Sequence, residues 1–110
     1  MSDEHFVAAE EYNEELAKLI RKNIKKSVPS IFSTRQGFKG QGVKSSHRRQ
    51  IWLYGHGQAG DRKFVDVWLV LNQVEVGGVC IGPKTHFSTK DLTPQQAFNV
   101  LVEHLRARGF

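Results

Sequence analysis

The stretch KFVDVWLVLNQVEVGGVCI, residues 63–81, decides the predicted fold because it has the pattern of two β-strands joined by a tight turn. Its first nine residues are rich in β-branched and aromatic side chains, which are common in strands. With Asn72 and Gln73 as a two-residue turn, Trp68 lies opposite Gly77 in the second strand. The stretch therefore predicts an antiparallel hairpin.

The two faces of this hairpin differ in chemistry, because successive side chains of a strand point to opposite sides. One face is wholly apolar and is expected to lie in the core: Val65, Val67, Leu69, Leu71, Val74, Val76, Gly78 and Cys80. The other face mixes aromatic rings with two acids: Phe64, Asp66, Trp68, Val70, Glu75, Gly77, Val79 and Ile81. An apolar face of this size must be covered by another layer of structure.

Two helices are expected to supply that layer. Residues 4–26 carry apolar side chains at intervals of three and four, which is the spacing of an amphipathic helix. A second helix is predicted to begin at Thr93-Pro94, since threonine caps helices and proline is favoured at their first position. Residues 48–55 add a strand.

The predicted fold class is therefore α+β: an N-terminal helix, a three- to four-stranded antiparallel sheet and a C-terminal helix, with both helices on one sheet face. A length of 110 residues suits one domain, and residues 1–110 are assigned to it. Glycines and serines predict a mobile basic loop at 33–50. The segment 82–92 is also predicted to be a loop.

Charge is spread unevenly along the chain. Residues 1–15 carry six acids and no Lys or Arg, whereas residues 16–60 carry ten cations and no acid. A one-signed region of this kind attracts polyanions or acidic protein surfaces. We therefore expect nucleic acid, either DNA or RNA, as the partner, with little preference for base sequence and a strong dependence on salt.

Two sets of candidate binding residues follow from the positions of the cations and the rings. The phosphate contacts are assigned to Arg35, Lys39, Lys44, Arg48, Arg49, Lys22, Lys25 and Lys26. The face that stacks bases or binds a partner is assigned to Trp52, Phe64 and Trp68. Rings beside cations suit single-stranded nucleic acid, in which every base offers a face for stacking.

Catalytic and metal-binding patterns are sparse. The histidines are scattered, no pair has zinc-ligand spacing, and neither glycine-rich segment matches a phosphate-binding loop. A small nuclease is one alternative. Asp66 and Glu75 share a face and suggest a metal-dependent enzyme, although Asp66 is rather expected to pair with Arg49 or Lys63. His47 and His56 suggest a metal-free ribonuclease, although an extended strand would hold them far apart. We predict no enzyme activity, no catalytic residues, no metal and no cofactor.

A protein-binding module is the other alternative. The basic loop and the aromatic sheet face would suit an inhibitor or adaptor that docks on an acidic protein, and the same face would suit a homodimer. The single cysteine, Cys80, favours a reducing compartment. With no secretory signal and no long apolar run, the expected location is the cytoplasm and no membrane partner is predicted.

Overall fold

The computed structural model of the chain describes the backbone of residues 3–39, 49–77 and 84–110, and the side chains of 9–37, 49–77 and 84–110. Along the chain, one helix precedes the five strands of this part of the structure and a second helix follows them. The elements are α1 Asp3–Ser27, β1 Ile31–Lys39, β2 Arg49–His56, β3 Arg62–Val70, β4 Gln73–Gly77, β5 Thr85–Ser88 and α2 Pro94–Ala107.

The sheet is an antiparallel meander in which each strand pairs with the next along the chain, in the order β1-β2-β3-β4-β5. Antiparallel neighbours that follow one another along the chain can be joined without a crossover connection. Strand β2 is buried at alternate positions, among them Ile51 and Leu53, and β3 is buried at Val65, Val67 and Leu69. The inward face of β2 and β3 is therefore largely apolar, as the hairpin pattern predicts for β3.

Both helices cover that apolar face. The core cluster joins the inward strand residues to α1 and to α2, whose contributions are Leu16, Ala17, Ile20, Ile24, Ala97, Phe98, Leu101 and Leu105. Spacings of three and four place each set on one side of its helix. The arrangement of two helices over one sheet face confirms the predicted α+β class.

The sheet has five strands rather than three to four. The additional strand β5 lies within the predicted loop 82–92 and pairs with β4 through Glu75 and His86. Strand β5 is only four residues long, too short for a clear strand pattern in the sequence. It forms because β4 offers an edge with which it can pair. Strand β1 likewise extends over 31–39, so residues 33–39 of the predicted basic loop are in the sheet.

The turn between β3 and β4 differs from the predicted one. Leu71 and Asn72 form it, since Val70 pairs with Gln73, and Asn72 has the positive φ of 58° that asparagine tolerates better than most residues. The predicted pairing was wrong by two residues, and Trp68 lies opposite Glu75 instead of Gly77. A shift of two keeps the described strand residues of this hairpin on their predicted faces.

Helix α2 begins where its sequence predicts. The Thr93 side chain accepts a hydrogen bond from the Gln96 backbone N–H, and the Gln96 side chain accepts one from the Thr93 backbone N–H, which forms a capping box. Gly109 follows the helix with a φ of 93°, a conformation that suits glycine. Among the described residues no helix is long and apolar enough to cross a membrane.

Candidate nucleic-acid interface

The face of the sheet turned away from the helices, here called the open face, carries the three rings assigned to binding. Strand pairing arranges its side chains in rows that cross the strands. Tyr54 lies opposite Phe64, and Trp52 lies between Arg35 of β1 and Asp66 of β3. A further row runs through Gln50, Trp68, Glu75 and His86. Trp52, Phe64 and Trp68 are thus brought together on one surface.

The rings of the open face contact one another and a cation. The Trp52 and Phe64 ring centroids are 5.9 Å apart with an edge-to-face angle of 73°, and the Tyr54 and Phe64 centroids are 5.1 Å apart. The Arg35 guanidinium carbon lies 5.9 Å from the centroid of the Trp52 ring, within the range of a cation–π interaction. A positive charge is therefore held beside a cluster of half-buried rings.

Two acids lie among these rings, and their environments differ. The Glu75 carboxylate forms an ion pair with Lys84 at 2.9 Å and accepts a hydrogen bond from Gln73 at 3.2 Å. The Asp66 atom Oδ1 is buried and has no hydrogen-bond partner within the described part of the chain, and the same holds for Trp52 Nε1 in the opposite strand. Glu75 is thus largely neutralised by Lys84.

Burial raises the pKa of the Asp66 carboxyl above its ordinary value of 3.8 because the charged form loses solvation. The charged form of Asp66 is thus less favoured in the folded protein than in the unfolded chain. The predicted ion pair of Asp66 with Arg49 or Lys63 is wrong. Arg49 pairs with Glu14 instead, and Lys63 donates to the Arg108 carbonyl at 3.0 Å.

Replacing Asp66 by asparagine is expected to make the protein more stable than the parent at neutral pH. A folded-state pKa above the unfolded one means that stability is lost as the pH rises from 3.8 through the folded-state value. The asparagine variant lacks this loss, so its advantage should vanish below pH 3.8. Urea unfolding of both proteins at several pH values measures the difference, and an advantage that is the same at every pH would contradict the assignment.

Arg49 is not available to bind phosphate. Its position in β2 has the same parity as Ile51 and Leu53, so its side chain points toward α1, where it is 11% exposed and hydrogen-bonds to Glu14. A guanidinium paired in this way has its charge compensated and its donors directed inward. We therefore leave Arg49 out of the phosphate-binding set. Strand alternation in the sequence already contains the signal for this placement.

The remaining cations of the predicted set are distributed over α1, β1 and the segment between β1 and β2. Lys22, Lys25 and Lys26 are exposed on α1, whereas Arg35 is exposed on β1 beside Trp52. For Lys39 the structure describes the backbone alone, as the last residue of β1. Lys44 and Arg48 lie outside the described residues, within a segment whose ends, Lys39 and Arg49, are paired.

Metal-binding geometry is not found in the described parts of the chain, where no group of three or more His, Cys, Asp or Glu side chains could hold an ion. Asp66 and Glu75, the pair behind the nuclease alternative, occupy neighbouring rows rather than directly paired positions. Cys80 and His47 lie outside the described residues.

The structure also groups residues that were not assigned from the sequence. Tyr54 and His56 join the open face, and His56 is paired with Arg62 and lies 4.9 Å from the Phe32 ring, which is 50% exposed. The alternation of the predicted strand at 48–55 indicates Tyr54 for this face, and His56 follows because β2 extends one residue further. Arg62 required knowledge of the pairing between β2 and β3.

Comparison with protein-family models, with curated proteins and with solved structures finds no match to this chain. The functional conclusion therefore depends on the site itself.

Proposed function

We propose that this protein binds single-stranded nucleic acid on the open face of its sheet, without catalysing a reaction. The observation that carries the proposal is the Arg35 guanidinium placed over Trp52, beside Tyr54 and Phe64. Rings on a sheet can stack unpaired bases while neighbouring cations contact the phosphates between them. Every base has a ring face, so binding of this kind depends little on sequence.

The positive charges available to this face lie at both ends of the ring cluster. Arg35 is exposed beside Trp52, and Arg62 is exposed at the start of β3, on the same side of the sheet as Phe64. A strand of nucleic acid laid across the rings would meet Arg35 beside Trp52 and Arg62 next to the row of Tyr54 and Phe64.

The experiment is fluorescence anisotropy with a labelled single-stranded oligonucleotide at two salt concentrations. Trp52→Ala is expected to weaken binding about tenfold or more, since stacking contributes about 1–3 kcal/mol per base. Trp52→Phe retains a ring at this position and is expected to bind nearly as well as the parent. This second variant separates loss of stacking from loss of folding.

The salt dependence provides a matched pair of charge variants. Arg35→Gln is expected to reduce the slope of log affinity against log salt by about 0.7, the value for one phosphate contact on a single strand. Lys26→Gln removes an exposed cation on the helix side and should leave the slope unchanged. Absence of binding at low salt, or equal effects of the two variants, would overturn the proposal.

A second candidate is a protein interface on the same face, and the mixture of charges there favours it. Arg35 and Asp66 lie in one row, so two copies related by a twofold axis could pair the arginine of one with the acid of the other. Sedimentation of the parent and of Trp52→Ala distinguishes the two functions. Self-association that the variant loses, with unchanged oligonucleotide binding, would assign the open face to a homodimer.

A further inference from the structure

A polar cleft lies at the opposite side of the molecule, between the end of α2, the β2–β3 turn and the start of β5. Its volume is about 820 Å³, within the range of about 300–1,000 Å³ that is usual for small-molecule sites. The lining residues are Gln58, Thr85, Glu103, His104, Arg106, Ala107, Arg108 and Gly109. From these residues we infer a site for a phosphate monoester of nucleotide size.

The charge of the lining favours an anion. The lining includes two arginines, Arg106 and Arg108, and one acid, Glu103. Outside the lining, the Lys63 ammonium group donates to the Arg108 carbonyl at 3.0 Å, which places a third cation at the end of α2. Arginine is well suited to phosphate because its planar fork of donors matches two phosphate oxygens.

The negative end of the helix does not cancel these cations. A helix C-terminus ordinarily presents unpaired carbonyl groups that repel anions. Here the Leu105 and Arg106 carbonyls accept hydrogen bonds from the backbone N–H groups of residues 108–110. Lys63 also donates to the Arg108 carbonyl. Several carbonyl groups at the end of α2 therefore already accept hydrogen bonds and repel an anion less.

One N–H group of the Arg106 guanidinium forms a hydrogen bond that positions the side chain, and several other N–H groups remain for a ligand. Its Nη2 donates to the Ser27 carbonyl at the end of α1, at 2.7 Å, while the residue as a whole stays exposed. A guanidinium has five N–H donors, so this bond leaves several for a ligand. Further polar groups at the wall are the Gln58 amide and the His104 imidazole, whose ring lies 5.0 Å from that of Phe87.

A phosphate monoester has two sources here, a free nucleotide or the 5′-phosphate of an oligonucleotide. Three probes distinguish them: adenosine monophosphate, an oligonucleotide with a 5′-phosphate, and the same oligonucleotide with a 5′-hydroxyl. NMR titration should show saturable shifts of the Gln58, His104 and Gly109 amides with adenosine monophosphate. If the phosphorylated end is the ligand, the first oligonucleotide should shift them and the second should not.

The variants separate this cleft from the open face. Arg106→Gln is expected to weaken adenosine monophosphate binding about tenfold, the effect of losing one charge-assisted hydrogen bond, and to leave the anisotropy of a 5′-hydroxyl oligonucleotide unchanged. Arg35→Gln should have the reverse effects. If neither monophosphate probe produces saturable shifts at millimolar concentration, or if Arg106→Gln binds as tightly as the parent, the inference is overturned.

Discussion

Replacing Glu14 by alanine is expected to lower the free energy of unfolding by about 2–4 kcal/mol, because it leaves the guanidinium of Arg49 buried without a counter-charge. The two side chains differ in exposure: that of Arg49 is 11% exposed and that of Glu14 is 38% exposed. Loss of one partner of a fully buried pair costs about 3–5 kcal/mol. Access of water to Glu14 reduces the expected cost below that range.

The difference in exposure also predicts an asymmetry between the two partners. Arg49→Met leaves the carboxylate of Glu14 where water can reach it, and methionine fills much of the space of the arginine stem. We expect that variant to lose about 1 kcal/mol or less. Urea unfolding of both variants measures the asymmetry, with Glu15→Ala as the control, because Glu15 is an exposed acid on the same helix. Equal losses for Glu14→Ala and Glu15→Ala would contradict the prediction.

Replacing Leu53 by alanine is expected to lower the free energy of unfolding by about 3 kcal/mol, within the range of about 2–5 kcal/mol for leucine in a core. Leu53 is fully buried in β2, with both strand neighbours β1 and β3 in place. Removal of its side chain leaves a cavity between the sheet and the helices that a paired strand cannot move to fill.

The control is the same substitution outside the core cluster. Leu71 lies in the β3–β4 turn and is half-buried, so Leu71→Ala should lose less than half as much as Leu53→Ala. Thermal or urea unfolding compares them. Leu53 lies between Trp52 and Tyr54 in the strand but points to the opposite face. Leu53→Ala should therefore still bind the oligonucleotide at temperatures well below its melting temperature. A loss of about 1 kcal/mol or less for Leu53→Ala would contradict the predicted core position.

Local patterns in the sequence were sufficient for the helices and for the faces of the hairpin. The periodic apolar residues of α1 and the capping sequence at Thr93 each act within a few neighbouring residues, so the sequence alone could predict them. Strand alternation placed Phe64 and Trp68 together on the face away from the core, and this held even though the register was wrong by two.

The candidate site depended more on pairing between distant segments. Alternation in β2 would have placed Arg49 inward, but its partner Glu14 is 35 positions earlier in the chain. The cation over Trp52 comes from β1, whose residues 33–37 have the glycine and polar composition of a loop. The polar cleft draws on a turn, a strand and a helix, and no local pattern indicates that Gln58 and Arg106 share it.

The sequence by itself determined the class of this protein: two amphipathic helices, a sheet with one apolar face, and aromatic rings on the other. These follow from side-chain periodicity, which expresses the burial of apolar surface within a single element. Only the tertiary structure decided which cations form ion pairs, which lie beside the rings and which line the cleft. Charges act on whatever the fold brings near them, and the distance along the chain does not reveal those neighbours.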